Sequence, residues 1–244
     1  MQNQHTKFLN KRTALSLFVV LAAIPALLFV SMLAGNRHYY ITSLLMIVCA
    51  MLPLFLLFEQ RKPQAHELVL LAVMCTIAVL SRTLFIWIPH FKPLVAIVII
   101  TGVSFGAEAG FLTGAVSGFV SNFIFGQGPL TPWQMFAFGM AGFLAGLLFQ
   151  KGLLHKNNFS LCVFGGGVVL LFVGPLLDTG ALFMMTSVLT PESAAAVYLS
   201  GLPVNVIHAF ATVLTLRLVS RPMFEKLDRI QLKYGVIGEN NSEI

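Results

Sequence analysis

The chain has 244 residues, of which 57% are hydrophobic and only 10% are charged, and its mean hydropathy is +0.88. Soluble domains carry about 25% charged residues, so the composition excludes a water-soluble globular protein and indicates a chain surrounded mainly by lipid. The net charge of +6 does not indicate nucleic-acid binding, because the basic residues stand at the ends of apolar segments, where they orient membrane proteins. Cys49, Cys75 and Cys162 stand apart in apolar segments, which predicts neither a disulfide framework nor a metal site.

Apolar segments long enough for membrane helices recur along the chain, since about 20 helical residues cross the hydrocarbon core of a bilayer. We predict eight transmembrane helices, with seven as the alternative because the fourth segment is short. The predicted fold is therefore an all-α, polytopic integral membrane protein. The apolar segments are 13–34, 39–58, 67–88, 93–105, 107–126, 132–150, 160–186 and 195–219.

Lysine and arginine are distributed unevenly between the two predicted sides of the membrane, and the side richer in these residues is normally cytoplasmic. We therefore predict a multi-pass protein of the cell membrane with both termini in the cytoplasm. The predicted inner set is Lys7, Lys11, Arg12, Arg61, Lys62, Lys151, Lys156, Arg217, Arg221, Lys226, Arg229 and Lys233, and the predicted outer set is Arg37, Arg82 and Lys92.

The segment 222–244 differs from the rest in its charge pattern. Phe224, Leu227 and Ile230 recur every three residues among charged ones, which predicts a short amphipathic helix at the cytoplasmic interface, followed by a disordered tail from Gly238. No segment is long enough for a nucleotide-binding domain, and no phosphate-binding loop motif occurs. We expect no cofactor in this chain, and any ATP would be used by separate subunits.

Glycines stand four residues apart through the middle of the chain, at Gly102, Gly106, Gly110, Gly114 and Gly118. Small residues at this spacing let helix backbones approach closely in lipid. The ladder predicts either tight packing within the chain or a smooth face that docks on a partner helix, and the two interpretations are compatible. The charged stretch 106–110 also suggests a turn between two helices.

Polar residues inside the membrane usually face a cavity or the protein interior. Helix counting places several of them toward the predicted outer side, together with an aromatic residue and a loop amide, as a small-molecule pocket requires. Arg82 would pair with a ligand anion or with Asp178, Trp133 would stack on a planar ring, and the amides would form hydrogen bonds. The candidate ligand residues are Arg82, Asn122, Gln127, Trp133, Gln134, Asp178 and Asn205.

The loop at 125–134 contains two glycines and two prolines, which predicts a tight turn. Pro132 suits the first turn of the following helix and Thr131 suits its N-cap. The positive end of that helix would then point into the predicted pocket, where it could receive a carboxylate or phosphate.

The run from Ala72 to Leu148 resembles the S components of energy-coupling factor (ECF) vitamin transporters. The matching segments follow one another at the spacing of that family. They are Ala78-Val79-Leu80-Ser81-Arg82, Gly102-Val103-Ser104-Phe105-Gly106, Gly110-Phe111-Leu112-Thr113-Gly114, Asn122-Phe123-Ile124-Phe125-Gly126-Gln127-Gly128-Pro129, Thr131-Pro132-Trp133-Gln134-Met135 and Gly139-Met140-Ala141-Gly142-Phe143-Leu144-Ala145-Gly146.

The resemblance implies a six-helix core, placed at 64–221, that binds a vitamin-like ligand from outside. It leaves 1–63 as an extension with about two further transmembrane helices. It also implies docking on a membrane scaffold subunit driven by two ATPase subunits. A cobalamin-like vitamin is one suggestion for the cargo, and Gln2, where metal-transporting relatives carry histidine, argues against a metal. The implied docking residues are Ala72, Thr76, Gly110, Gly114 and Gly118.

Two other classes of function remain open from the residues alone. An independent secondary transporter or channel would show inverted repeats and polar groups at the midplane, and neither is evident. An intramembrane enzyme would need a nucleophile such as Ser104 or Ser117, with His208 as a conceivable base. The segment 102–106 matches the G-x-S-x-G pattern, but that motif functions at a strand-turn-helix. We therefore expect a binding subunit rather than an enzyme.

Overall fold

A computed structural model describes residues 18–33, 41, 45, 48, 49, 65–185 and 190–234. Every regular element within these ranges is helical, which confirms the predicted all-α fold. A π-helical turn at Val19–Ala23 precedes α1, and a second one at Val169–Val173 joins α6 to α7. The helices are α1 (Ile24–Leu33), α2 (Ala65–Thr83), α3 (Leu94–Phe105), α4 (Ala107–Phe125), α5 (Thr131–Gln150), α6 (Asn158–Val168), α7 (Gly174–Met185) and α8 (Pro191–Tyr234).

Three helical stretches of the described residues are long and apolar enough to cross a membrane, namely 131–150, 158–185 and 191–233. The second of these contains α6, the π turn and α7 as one rod of 28 residues. The predicted span at 39–58 falls almost entirely outside the described residues, as do Gln2 and the predicted tail from Gly238. The chain is a multi-pass membrane protein, as predicted.

Helix α3 is shorter than a membrane span and lies at the centre of the bundle. Its 12 residues extend over about 18 Å, against the roughly 30 Å of a bilayer core, and all of them are buried. Gly106 follows with a φ of 105°, a conformation that costs little only for glycine, and it turns the chain directly into α4. The predicted turn in the 106–110 segment is therefore this one residue.

The glycine ladder joins α3 and α4 to α5. A methyl group added at Gly102, Gly110 or Gly142 would overlap the backbone of the facing helix, so no side chain separates the three helices there. Gly114 meets the backbone of Phe138 in the same way. The ladder therefore serves packing inside the chain, which is the geometry of small-residue interfaces in membranes.

The predicted docking residues divide into two groups. Gly110, Gly114 and Gly118 are buried against α5, so in this conformation they form no exposed surface. Ala72 and Thr76 lie on an exposed face of α2, where the Thr76 hydroxyl donates to the Ala72 carbonyl oxygen at 2.9 Å. That face is otherwise apolar, with Leu68, Val69, Val73, Ile77 and Leu80 exposed.

The bundle has two ends that differ in their charge. At the Pro129 end, α2, α4 and α7 finish and α3, α5 and α8 begin. At the Gly106 end, α3 and α5 finish and α4 and α6 begin. The last part of α8 also lies at this end. Of the described lysines and arginines, only Arg82 and Lys92 belong to the Pro129 end. Those at the Gly106 end are Lys151, Lys156, Arg217, Arg221, Lys226, Arg229 and Lys233.

The segment after Arg221 is a continuation of α8, not the separate short helix that we predicted. It is amphipathic as expected, because Phe224 and Leu227 are buried, but its apolar face packs on the protein itself. The Gln231 side-chain amide donates to the Ser104 carbonyl oxygen at 2.8 Å, and the Lys156 ammonium lies 4.3 Å from the centroid of the Phe224 ring. These contacts hold the helix against the α3–α4 turn and the α5–α6 loop.

Replacing Leu227 by alanine should destabilise the protein, because the leucine is 5% exposed and its loss leaves a cavity under α8. We expect a decrease of about 2 to 3 kcal/mol in the free energy of unfolding, measured by thermal denaturation in detergent. Leu232→Ala is the matched control, because Leu232 lies on the same helix and is 87% exposed. Equal melting temperatures for the two variants would contradict the packing of this segment on the protein.

The N-terminal extension contacts the core through its described part. Val19 and Ile24 are buried in one apolar cluster with Phe111 of α4 and with Phe136 and Phe143 of α5. This part of the extension therefore packs against α4 and α5.

Candidate functional site

Arg82, near the end of α2, is the most deeply buried cation at the Pro129 end, with 3% of its surface exposed. Its Nη1 donates to the Ser121 hydroxyl and, at 2.9 Å, to the Asn122 side-chain oxygen. Its Nε has no hydrogen-bond partner. A buried guanidinium with only neutral partners retains most of its desolvation cost.

Asn122 links α2, α4 and α5. Besides accepting from Arg82, it donates through Nδ2 to the Thr131 hydroxyl at 3.0 Å and to the Gln134 side-chain oxygen at 2.6 Å. The Thr131 hydroxyl in turn donates to the Gln127 oxygen at 3.0 Å. Four predicted ligand residues, Arg82, Asn122, Gln127 and Gln134, thus belong to one network that we call the Asn122 network, together with Ser121 and Thr131.

Helix α5 starts one residue earlier than predicted, so Thr131 is its first residue and Leu130 its N-cap. The Thr131 hydroxyl accepts from the Gly128 N–H at 3.1 Å and so stabilises the loop rather than capping the helix. Pro132 lies in the first turn as predicted. The helix start lies at the Pro129 end, beside the Asn122 network.

The Phe125 ring forms cation–π contacts with two side chains, Arg82 and Lys92. The Arg82 Cζ lies 4.4 Å and the Lys92 Nζ 4.8 Å from the ring centroid. Lys92 belongs to the α2–α3 loop, and burial, followed by the positive charge of Arg82, lowers the pKa of its amino group from the ordinary value. No carboxylate forms an ion pair with either cation among the described residues.

Asp178 and Asn205 form a separate polar pair between α7 and α8. The Asn205 amide donates to an Asp178 carboxylate oxygen at 2.8 Å. Gly174 lies directly against Asn205, and Gly201 lies directly against Asp178. Each glycine stands four residues before the polar residue of its own helix, so each helix makes room for the polar side chain of the other.

The suggested ion pair between Arg82 and Asp178 is therefore wrong for this conformation. Asp178 is satisfied by Asn205 on a neighbouring helix, whereas Arg82 points into the Asn122 network. The alternative, that Arg82 pairs with an anion of the ligand, stays a prediction.

Trp133 of α5 packs against α7. It is 9% exposed, and its indole contacts Gly180 of α7, where an added methyl group would lie 2.9 Å from the ring. The Phe183 ring lies beside it, with a centroid distance of 6.2 Å. Gln134, the next residue, accepts from Asn122, so adjacent residues of α5 contact α7 and the Asn122 network.

Several residues of the candidate site were not predicted from the sequence. Ser121 adds a hydroxyl beside Asn122, Phe125 supports both cations, and Gly180 admits the indole. The glycine four residues before Asp178 and before Asn205 is a signal that could have revealed the reciprocal pair. His208, named above as a conceivable base, is buried edge-on against Phe138 with a centroid distance of 6.2 Å, and its Nε2 has no partner.

A cleft of about 480 Å³ lies at the Gly106 end, between the α5–α6 loop and α8. Its charges are largely paired, since Lys156 contacts Asp228 at 3.4 Å and Arg221 contacts Glu225 at 3.3 Å. The cleft is lined by Lys156, Asn157, Asn158, Leu161, Arg221, Phe224, Glu225 and Asp228. None of the residues predicted to bind the ligand lines it.

Comparison with protein families matches residues 62–221 to the family described as ECF-type riboflavin transporter, S component. The chain belongs to this ECF S-component family. The match covers about two thirds of the chain and includes α2 to α7 and most of α8, so the resemblance seen in the sequence is confirmed. The family comprises transporter subunits rather than enzymes. Comparison with curated proteins and with solved structures gave no match.

Proposed function

We propose that this S component captures a riboflavin-like vitamin, one with a flat, hydrogen-bonding ring system, at the Pro129 end. The observation that carries the proposal is that Trp133 packs on Gly180 of α7, two residues from Asp178, while the next residue, Gln134, belongs to the Asn122 network. An indole provides a stacking surface for a planar ring, and a side-chain amide such as that of Gln134 can both donate and accept hydrogen bonds. The description of the matched family supports a flavin.

A ligand that enters this site would replace existing contacts between protein groups rather than fill an empty space. Asn122 uses its oxygen and both amide hydrogens on protein groups, and Trp133 is packed against α7. A ligand that enters between α5 and α7 would displace the indole from Gly180 and replace some of these hydrogen bonds with its own. Because buried polar groups must remain paired, a ligand with the wrong edge pattern would bind weakly.

The cobalamin-like alternative makes a different demand on the same site. A corrinoid is several times larger than a flavin, so it would require α7 and α8 to move further from α5. The separation of α5 from α7 at the contact between Trp133 and Gly180 would then have to extend over a much larger area than a flavin requires. We therefore favour the flavin and treat cobalamin as the competing ligand in the test.

We further propose that the Gly106 end is cytoplasmic, which is supported by its basic residues, and that the Pro129 end faces outside. Delivery would use a separate scaffold subunit and two ATPase subunits, with no cofactor in this chain. The exposed apolar face of α2 around Ala72 and Thr76 is the surface that we propose for the scaffold.

The test is thermal denaturation of the purified full chain in detergent with riboflavin, cobalamin and other vitamins added singly. A true ligand raises the apparent stability by about 2.7 kcal/mol at a hundredfold excess over its Kd. We expect riboflavin to do so and to lose its fluorescence on binding, through stacking on the indole. Stabilisation by cobalamin alone would replace the flavin with the competing ligand, and stabilisation by no vitamin would overturn the proposed function.

A further inference from the structure

Two cations at the Pro129 end, Arg82 and Lys92, form no ion pair with any described carboxylate. Arg82 and Lys92 lie on the same Phe125 ring, at 4.4 Å and 4.8 Å from its centroid. Two like charges that contact one ring repel each other in a medium less polar than water. The aromatic ring offsets part of this cost, but it supplies no negative charge.

No described carboxylate pairs with these two cations, and Glu192, in the first turn of α8, is exposed to the surroundings. Asp178 accepts from Asn205, and Glu225 and Asp228 pair with cations at the Gly106 end. Glu67 and Glu108 stand in the first turns of α2 and α4, which are the opposite ends of those helices from Arg82 and Asn122. At roughly 1.5 Å per residue, each lies about 20 Å along its helix from the cation pair.

Arg82 also retains an unused donor. Its side chain is almost completely buried, and its Nε–H has no partner. Buried donors without a partner are uncommon and costly in folded proteins. A planar guanidinium with a free Nε–H is suited to an anionic oxygen, which it binds more strongly than it binds a neutral acceptor.

From these observations we propose that Arg82 and Lys92 form a subsite for an anionic oxygen group of the cargo, a phosphate monoester or a carboxylate. The inference rests on the proposed function, because it concerns the same vitamin site and specifies the chemical class of its ligand. For a flavin, the protein would prefer the 5′-phosphate of riboflavin to riboflavin itself. The ring would lie at Trp133, and the charged tail would lie toward Phe125.

The experiment compares the affinities of riboflavin and riboflavin 5′-phosphate for the full chain in detergent, by quenching of flavin fluorescence. The two ligands share a ring and differ only in the anion. A charge-assisted contact contributes about 1.5 to 3 kcal/mol, so we expect the phosphate to bind roughly 10- to 100-fold more tightly. Lys92→Gln should reduce this ratio toward one, and added salt should reduce it in the wild-type protein.

Lys151→Gln is the matched control, because it removes the same charge from an exposed lysine at the Gly106 end. It should leave the affinity ratio unchanged. Equal or tighter binding of riboflavin by the wild-type protein would overturn the anion subsite while the proposed function stands. A preference for the phosphate that is undiminished in Lys92→Gln would overturn it too.

Binding of neither flavin would instead overturn the flavin proposal. The anion subsite would then be decided by two other matched pairs, pyridoxal with pyridoxal 5′-phosphate and thiamine with thiamine phosphate. A preference for a phosphorylated member that Lys92→Gln abolishes would support the subsite. Absence of any such preference would overturn it.

Discussion

Replacing Gly142 by valine should prevent the protein from folding into a single stable species. An added side chain at this position would overlap the backbone of Gly110 and the side chain of Val98, so α5 would have to move away from both α3 and α4. Overpacking a core usually costs about 1 to 3 kcal/mol, and here the obstacle is backbone, which cannot rotate aside. We expect a loss of at least about 3 kcal/mol, detected as aggregation in size-exclusion chromatography and a low melting temperature.

Gly167→Val provides the control for this prediction. Gly167 is also a helical glycine, in α6, but an added methyl group there would meet no atom within 4 Å. It tests whether valine within a transmembrane helix is harmful by itself. A monodisperse Gly142→Val protein that melts at the wild-type temperature would show that the three helices do not meet at the glycine ladder.

Replacing Trp133 by alanine should reduce affinity for the vitamin by at least about 100-fold. Stacking on an indole and the apolar area that a tryptophan covers together provide several kcal/mol, and truncation of a central aromatic residue often costs 2 kcal/mol or more. Isothermal titration of the purified variant would measure the loss. Trp133→Phe retains an aromatic ring at the contact with Gly180 and should recover part of the affinity.

Trp87→Ala is the appropriate comparison, because the protein has two tryptophans and Trp87 is 91% exposed. It should bind the vitamin with wild-type affinity. Unaltered binding by a folded Trp133→Ala protein would place the ligand away from α5 and would argue against the site described here. Circular dichroism before titration separates loss of binding from loss of fold.

Most helices were predictable from the sequence because the bilayer imposes a length on apolar segments. The runs at 132–150 and 160–186 correspond to α5 and to the rod of α6 and α7, since few other structures satisfy the backbone in lipid. The extent of α8 was not predictable in this way. Beyond Arg221 its apolar residues recur at a spacing that suits packing on lipid and packing on protein equally well, and only the contacts of Phe224 and Leu227 distinguish them.

The feature of the site that was hardest to predict was which polar side chains form hydrogen bonds with each other. Helix counting placed Arg82, Asn122 and Gln134 toward one side of the membrane, and the structure joins them in one network. Which polar residue meets which depends on the rotation of each helix about its axis, and neighbouring packing sets that rotation. Asp178 therefore turned toward Asn205, although opposite charge alone favoured Arg82.

The enclosure of α3 has a practical consequence for handling the protein outside its membrane. All 12 of its residues are buried, so this helix is surrounded by protein and not by acyl chains. Its neighbours hold it through close backbone contact and dispersion, which do not depend on the surrounding amphiphile. A change of detergent should therefore act first on the exposed faces of α2 and α8, while the centre of the bundle remains intact across micelles of different chain length.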